Sequence, residues 1–325
     1  MRAVVCEKYG GPQSLSIKEV KNPSSKPNEV LIDIRSAAVN FPDTLIIQGK
    51  YQIKPAVPFI PGSDLAGVVS AVGDQVKNIK PGDEVIGFTR TGAFAEKIVL
   101  PADACFPKPN KMDFNTAASF TMAYGTSYHA LKDRATLKKD ETLLVLGASG
   151  GVGLAAVELG KCLGAHVIAA ASTDEKLQLC RDHGADELVN YHKDDLKSKI
   201  KHLTSGKGVD VVYDAVGGKY SEPALRATAW NGRYLVIGFA TGDIPKIPLN
   251  LPLLKGCAIV GVFWGSFTAR DPQSNNMNVK ELTEMYEQGK IKPHIDQTYS
   301  LEKTPIALED MMNRKLKGKV VIKIN

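Results

Sequence analysis

The chain has 325 residues, 23% of them charged and 43% apolar, with a formal net charge of +6. Its length exceeds the roughly 100 to 200 residues of an average domain, so two domains with separate cores are expected. No apolar run approaches the roughly 18 residues of a membrane helix. The lysines are scattered without interleaved aromatics, and the five cysteines contain no C-x-x-C pair. Neither a nucleic-acid module, a disulfide framework nor a zinc knuckle is suggested. "MRAVVCEKYGG" lacks the long apolar core of a secretory signal and reads as a first strand, which makes the cytoplasm the expected location.

"AVVCEKY", "LSIKEV", "EVLIDIRSAAV", "LAGVVSAVG", "DEVIGF" and "FAEKIVL" are short strand patterns, punctuated by "NPSSKPN", "VPFIPGSD" and "IKPGD". This spacing predicts an antiparallel, barrel-like unit. After Met112 the pattern turns helical in "NTAASFTMAYGTSYHALKDRA", with Asn115-Thr116 as the expected cap. Alternation follows: "ETLLVLG" as strand, "GVGLAAVELGKCLG" as helix, "AHVIAAA" as strand, "DEKLQLCRDHG" as helix, "ELVNY" as strand, "DLKSKIKHLTSG" as helix, "VDVVYDAV" as strand, "SEPALRATAW" as helix and "GRYLVIGF" as strand. Such βαβ units predict a parallel sheet covered on both faces. The chain then reads as a strand, "AIVGVFWGSF", an amphipathic helix, "NVKELTEMYEQGK", and a closing strand, "GKVVIKIN", expected to rejoin the first domain.

In "LLVLGASGGVGLAAVELG", Gly151, Gly153 and Ala156 satisfy G-x-G-x-x-[GA], preceded by Gly147 and Gly150. The three positions would give a tight turn, backbone approach to a pyrophosphate, and close packing of helix on strand, with the helix N-terminus facing the anion. The run follows a strand, opens a helix and begins a βαβαβ series, so a dinucleotide is the expected ligand. In "HVIAAASTDEKL" Ala170 and Ala171 end the next strand, where an acid would repel a 2′-phosphate. Ser172 and Glu175 form S-x-x-E, a capping box, and Lys176 follows. Hydroxyls at the strand end with a nearby lysine favour NADPH over NADH.

With these motifs and "AAVNFPDTLIIQGKY", "PFIPGSDLAGVVSAVG", "KPGDEVIGF", "GAFAEKIVL", "YGTSYHAL", "DVVYDAVGG", "GVFWGSF" and "GKVVIKI", the chain resembles the zinc-independent NADPH:quinone oxidoreductases of the medium-chain dehydrogenase/reductase superfamily, the zeta-crystallin-like group, over nearly its whole length. The resemblance implies an α/β protein, a Rossmann-type doubly wound parallel sheet at 123–265 inserted in a β-rich GroES-like domain at 1–122 and 266–325. Zinc-using relatives carry a catalytic cysteine where this chain has Asn40 to Asp43, and Gly-His-Glu where it has Gly62-Ser63-Asp64. Lacking Cys and His at both places, and lacking the cysteine lobe after "GFTRTGAFAEKIVL", the chain is expected to bind no metal. By the same likeness Ser149, Gly150, Gly151 and Val152 would line the pyrophosphate. Ser172, Lys176 and Tyr191 would surround the adenosine 2′-phosphate, and Phe239, with Ala240, the cofactor's midsection. Thr126 and the backbone of Phe263, Trp264 and Gly265 would neighbour the nicotinamide, with Asn40 on the substrate side.

The cofactor supplies hydride, so the protein must aim it and supply a proton or stabilise charge on oxygen. Asn40, Thr126 and Tyr51 are the candidates; Tyr51 in "IIQGKY" matches the proton-donating tyrosine of related enoyl thioester reductases, whereas packing on the loop rim is its ordinary alternative. Asp43 reads as a loop-holding acid. The favoured activity is reduction of a quinone or related conjugated carbonyl by a homodimer. The alternatives are an enoyl thioester or 2-alkenal reductase and, from another class, a non-catalytic NADPH-binding structural or regulatory protein.

Overall fold

The computed structural model describes residues 1–324. The chain divides into two compact units, Met1–Met122 with the segment from Pro293 onward, and Ala123–Lys292. The return to the first unit thus comes at 293, later than the boundary at 266 expected from sequence. The helix Pro272–Glu287 explains the difference: Tyr128 donates to Glu281 at 2.7 Å, Lys132 to Asn278 at 3.0 Å, and Trp264 Nε1 to Asn275 at 3.2 Å, all inside the second unit.

In the first unit the strand Glu29–Val39 is central, and its alternate residues Val30, Ile32 and Ile34 are fully buried, the period-two pattern of a sheet face on a core. It pairs antiparallel with Asp64–Val72, Lys97–Pro101 and Lys319–Lys323. Glu84–Phe88 and Cys105–Pro107 extend one side and Ile295–Ser300, parallel to Lys319–Lys323, the other. The closing strand has therefore rejoined the first unit. Register then does specific work: Val320 lies opposite Val39, and Asp64 opposite Ala38. Lys319, Asn40 and Asp64 are thereby brought to one end of the sheet.

The second unit holds six parallel strands, Glu187–Asn190, His166–Ala171, Thr142–Leu146, Val209–Asp214, Thr228–Val236 and Ala258–Gly261, in that spatial order. Leu143 to Leu146 are all fully buried, as expected of a strand covered on both faces. The order reverses between Thr142–Leu146 and Val209–Asp214, the switch point whose carboxyl ends open a crevice in doubly wound sheets. "SEPALRATAW" divides: the helix stops at Arg226, and Thr228 begins a strand because its β-branched side chain is completely buried against Val209. "AIVGVFWGSF" also divides, the strand ending at Gly261 and a helix running Trp264–Arg270. The helical stretch after Met112 is capped by Asp113, which accepts from the amides of Asn115 and Thr116, two residues before the expected Asn115. No described helix is long and apolar enough to cross a membrane.

Candidate functional site

The strand Thr142–Leu146 leads into the glycine turn, and the helix Gly151–Cys162 leaves it. Gly147 takes φ +70°, open to glycine at little cost, so the tight turn falls there and not on Gly151. Gly153 sits where an added Cβ would lie 2.2 Å from the Gly147 carbonyl oxygen, which is the close helix–strand approach the fingerprint calls for. Gly150 is the N-cap and has no side chain to satisfy the first-turn amides; its own amide donates to Gly147 O at 3.0 Å. Gly150, Gly151 and Val152 are half-buried and Ser149 is buried. An uncapped helix N-terminus with glycine on its approach fits a pyrophosphate. Ser127 donates to Val152 O at 2.8 Å and pairs with the Tyr213 hydroxyl at 2.9 Å, tying the helix that carries half-buried Thr126 to this turn.

The strand His166–Ala171 ends in buried alanine, followed by half-buried Ser172. The helix cap expected at Ser172 lies at Thr173, whose Oγ1 accepts from Lys176 N at 3.3 Å. Ser172 is thus released from capping. Asp174 is bound to Lys193 at 2.5 Å and Asn190 at 2.7 Å; the Lys193 hydrogen bond holds its carboxyl below the ordinary range. The nearest acid is therefore already engaged. Tyr191 packs its ring 4.4 Å from that of Tyr220. Phe239 lies against Gly217, where a Cβ would come within 2.8 Å of its ring, and Ala240 is bonded to Ala215 O at 3.2 Å.

The expectation for Trp264 concerns its backbone, and its side chain packs inward. Its ring is 4% exposed and lies 2.8 Å from where a Cβ on Gly125 would sit, so it is a packing element. Gly265 and the 50%-exposed ring of Phe263, the helix N-cap, remain open.

Sequence alone did not reveal a polar cluster buried in the first unit. Asn40, Asp43, Ser63, Asp64 and Lys319 are each at most 6% exposed. Asn40 caps the helix Phe41–Ile46, its amide donating to Asp43 Oδ2 at 2.8 Å, while Ser63 donates to Asp43 Oδ1 at 3.1 Å. Asn40 Nδ2 donates to Asp64 Oδ2 at 3.2 Å, and Lys319 Nζ donates to Asn40 Oδ1. Asp64 Oδ1 is buried without a hydrogen-bond partner among the described residues. Burial pushes the Asp43 carboxyl up to about 7 and that of Asp64 to about 6, and lowers the Lys319 ammonium. Tyr51 lies half-buried on the following loop, its phenol pushed up by burial and then by Asp43. Tyr9 steadies that loop, donating to Pro55 O at 2.5 Å and packing its ring under Gly49. The one available signal for Lys319 was a single cation opening the apolar strand "GKVVIKI".

These raised carboxyls have a stability consequence. Between the ordinary carboxylate value near 4 and the folded values of about 6 and 7, the folded chain holds protons that the unfolded chain has released, so stability falls as pH rises through that window. Asp64→Asn should cut the pH 5 to pH 8 stability loss by at least about a third, because Asp64 holds its extra proton over about one pH unit of that window and Asp43 over about two, and loss of the Asp64 charge also lowers Asp43. Denaturant midpoints at the two pH values check it; an unchanged difference contradicts it.

A profile described as "alcohol dehydrogenase GroES-like domain" matches residues 26–110, and one described as "zinc-binding dehydrogenase" matches 151–283. A quinone oxidoreductase-like protein 2 homolog of Nematostella vectensis is 39% identical, the match covering 99% of this chain and 88% of the relative. The chain belongs to the quinone oxidoreductase family of the medium-chain dehydrogenase/reductase superfamily. Escherichia coli quinone oxidoreductase, solved in complex with NADPH, superposes with a TM-score of 0.93 at 30% identity, covering 99% of this chain and 100% of that one. The enoyl reductase CurK superposes at 0.91 with 26% identity, covering 100% and 99%. Zinc, named in one profile, does not fit the residues present. The Asn40 amide and the Asp43 and Asp64 carboxyls share their buried cluster with Lys319, which already donates to Asn40, a cation where a metal would need its own charge accepted, and the Ser63 hydroxyl is spent on Asp43.

Proposed function

We propose that the chain is an NADPH-dependent, zinc-independent quinone oxidoreductase that reduces a quinone or related conjugated carbonyl. The observation that carries this reading is the strand end at Ala171–Ser172 beside the glycine turn. It offers no free acid against a 2′-phosphate, since Asp174 is held by Lys193 and Asn190. The NADPH complex of a 30%-identical family member supports it.

In this reading Ser149, Gly150, Gly151 and Val152 hold the pyrophosphate. Ser172, Lys176 and Tyr191 take the 2′-phosphate, and Phe239 the cofactor's middle. Thr126, Phe263 and the backbone of Trp264 and Gly265 orient the nicotinamide, which when bound supplies a hydride, two electrons with one proton. Asn40 orients the acceptor's oxygen, and Tyr51 donates the second proton to it. Units 1–122 and 123–292 are thereby the substrate and nucleotide domains, the former completed by the C-terminal segment.

NADPH oxidation with naphthoquinone, phenanthrenequinone, a 2-alkenal, a crotonyl thioester and no acceptor tests the reading. Turnover of the thioester but of no quinone overturns it in favour of an enoyl reductase, the second reading, which Tyr51 and the likeness to CurK support. Tyr51→Phe should lower kcat by about 100-fold with enone acceptors, the usual worth of a positioned proton donor. Full activity in that variant removes Tyr51 from the chemistry.

A homodimer joined along Ala258–Gly261 is part of the proposal. That strand ends the six-stranded sheet, and Leu249, Leu253 and Leu254 are each more than two-thirds exposed nearby in sequence. Sedimentation of the wild type as a monomer overturns it.

A further inference from the structure

Asn40 has one orientation available. An ammonium can only donate, so Lys319 Nζ fixes Oδ1 as its acceptor, and Nδ2 must turn to Asp64 Oδ2 at 3.2 Å and Ala38 O at 3.4 Å. Asp64 Oδ2 also accepts from Met122 N at 3.3 Å, while Oδ1 is left with no partner among the described residues. Asp43 is held by the Asn40 amide and the Ser63 hydroxyl. Two carboxyls and one ammonium thus share a sealed space. Fully ionised they would leave one uncompensated negative charge, which a low dielectric penalises; one added proton removes it.

We infer that Lys319 is a positioning residue for the reduction: it locks the Asn40 carboxamide and sets the charge on Asp43, whose field falls on the Tyr51 phenol. The inference rests on the roles proposed above for Asn40 and Tyr51. A neutral Asp43 leaves the phenol a better acid, and an ionised Asp43 weakens it. Activity should therefore fall as pH rises through the Asp43 midpoint. The charged groups facing Asp43 are Asp64, from the adjacent strand, and Lys319, from the closing strand. The helix Thr304–Met312, packed on Phe41–Ile46, brings an exposed Glu309 and an Asp310 engaged by Lys315 and Tyr299, each at 2.9 Å.

The two neighbours act with opposite sign. Removing the cation makes an ionised Asp43 harder to hold; removing the second carboxyl makes it easier. The full chain labelled with 13C at aspartate carboxyls, without acceptor, gives the Asp43 titration by NMR, its signal assigned by loss in Asp43→Asn. Lys319→Gln should raise the midpoint and Asp64→Asn should lower it, whereas Lys319→Arg should leave it in place. The alkaline limb of kcat for quinone reduction should move in the same directions. General structural damage would not push the midpoint opposite ways. An unmoved midpoint, or the same direction in both variants, overturns the coupling. Shifted midpoints with an unmoved kcat profile overturn the positioning role. A wild type that reduces no acceptor overturns the functional reading alone, and the NMR midpoints still decide the coupling of Lys319 to Asp43.

Discussion

Gly153→Ala should lose NADPH binding and part of the fold together, while Gly150→Ala should lose binding alone. At Gly153 the new methyl would lie 2.2 Å from Gly147 O and 2.9 Å from Ala148 Cα, both backbone atoms, so helix and strand must separate. That separation unpacks the helix Gly151–Cys162, whose Leu154, Ala156, Val157 and Leu159 are buried, and disturbs the turn at Gly147. Overpacking of this kind costs about 1 to 3 kcal/mol, enough to be read as a lowered melting temperature. At Gly150 the nearest atom to an added Cβ is Gly147 O at 3.4 Å, an ordinary contact, and φ −82° suits any residue. The methyl there would instead occupy the approach to the first-turn amides. We expect NADPH affinity to fall by about 100-fold in the first variant and by about 10-fold in the second, roughly 2.7 and 1.4 kcal/mol. Quenching of protein fluorescence by NADPH and thermal unfolding separate the two effects. Undiminished affinity in both variants would remove the glycine turn from cofactor binding.

Much of this geometry could be read from residues before any coordinate. Alternation of "ETLLVLG" with helical runs announced the parallel sheet because a strand buried on both faces must be continuously apolar, as Leu143 to Leu146 are. The glycine spacing located the turn but misplaced its strained position. Gly147 lies outside the G-x-G-x-x-[GA] pattern, and only φ reveals which glycine bends. Local signals also failed where a distant neighbour decided the outcome. The motif around Trp264 concerns its backbone and says nothing of where the ring packs; Gly125, far away in sequence, leaves room for that ring in the interior. Thr173 and Asp113 took caps expected one or two residues later or earlier, since Ser, Thr, Asp and Asn compete at adjacent positions and backbone dihedrals choose among them. Lys319 is the plainest case. Its partner Asn40 lies 279 residues away, joined by the register of Val320 on Val39, and no pattern within either segment encodes that pairing.

Ser172→Asp should reverse cofactor preference, lowering the ratio of kcat/KM for NADPH to that for NADH by about 100-fold or more. The position suits the test because Thr173, not Ser172, caps the helix Asp174–Asp182, so the change leaves the Lys176 N to Thr173 Oγ1 bond intact. A carboxylate at the end of His166–Ala171 would accept hydrogen bonds from ribose hydroxyls, favouring NADH. It would also stand against a 2′-phosphate. Near a protein surface two like charges about 4 Å apart repel by up to about 4 kcal/mol, and a phosphate carries more than one charge. Taken for a single charge, that figure already exceeds the roughly 2.7 kcal/mol that a 100-fold change requires. Asp174 does not exert this repulsion in the wild type, although only two residues away, because Lys193 and Asn190 hold its carboxylate. Lys193→Ala should therefore move the ratio in the same direction as Ser172→Asp but by less, freeing an acid in place of adding one. Steady-state kinetics with both nucleotides and a common quinone read the two variants side by side. A wild-type preference kept by Ser172→Asp would move the 2′-phosphate away from this strand end.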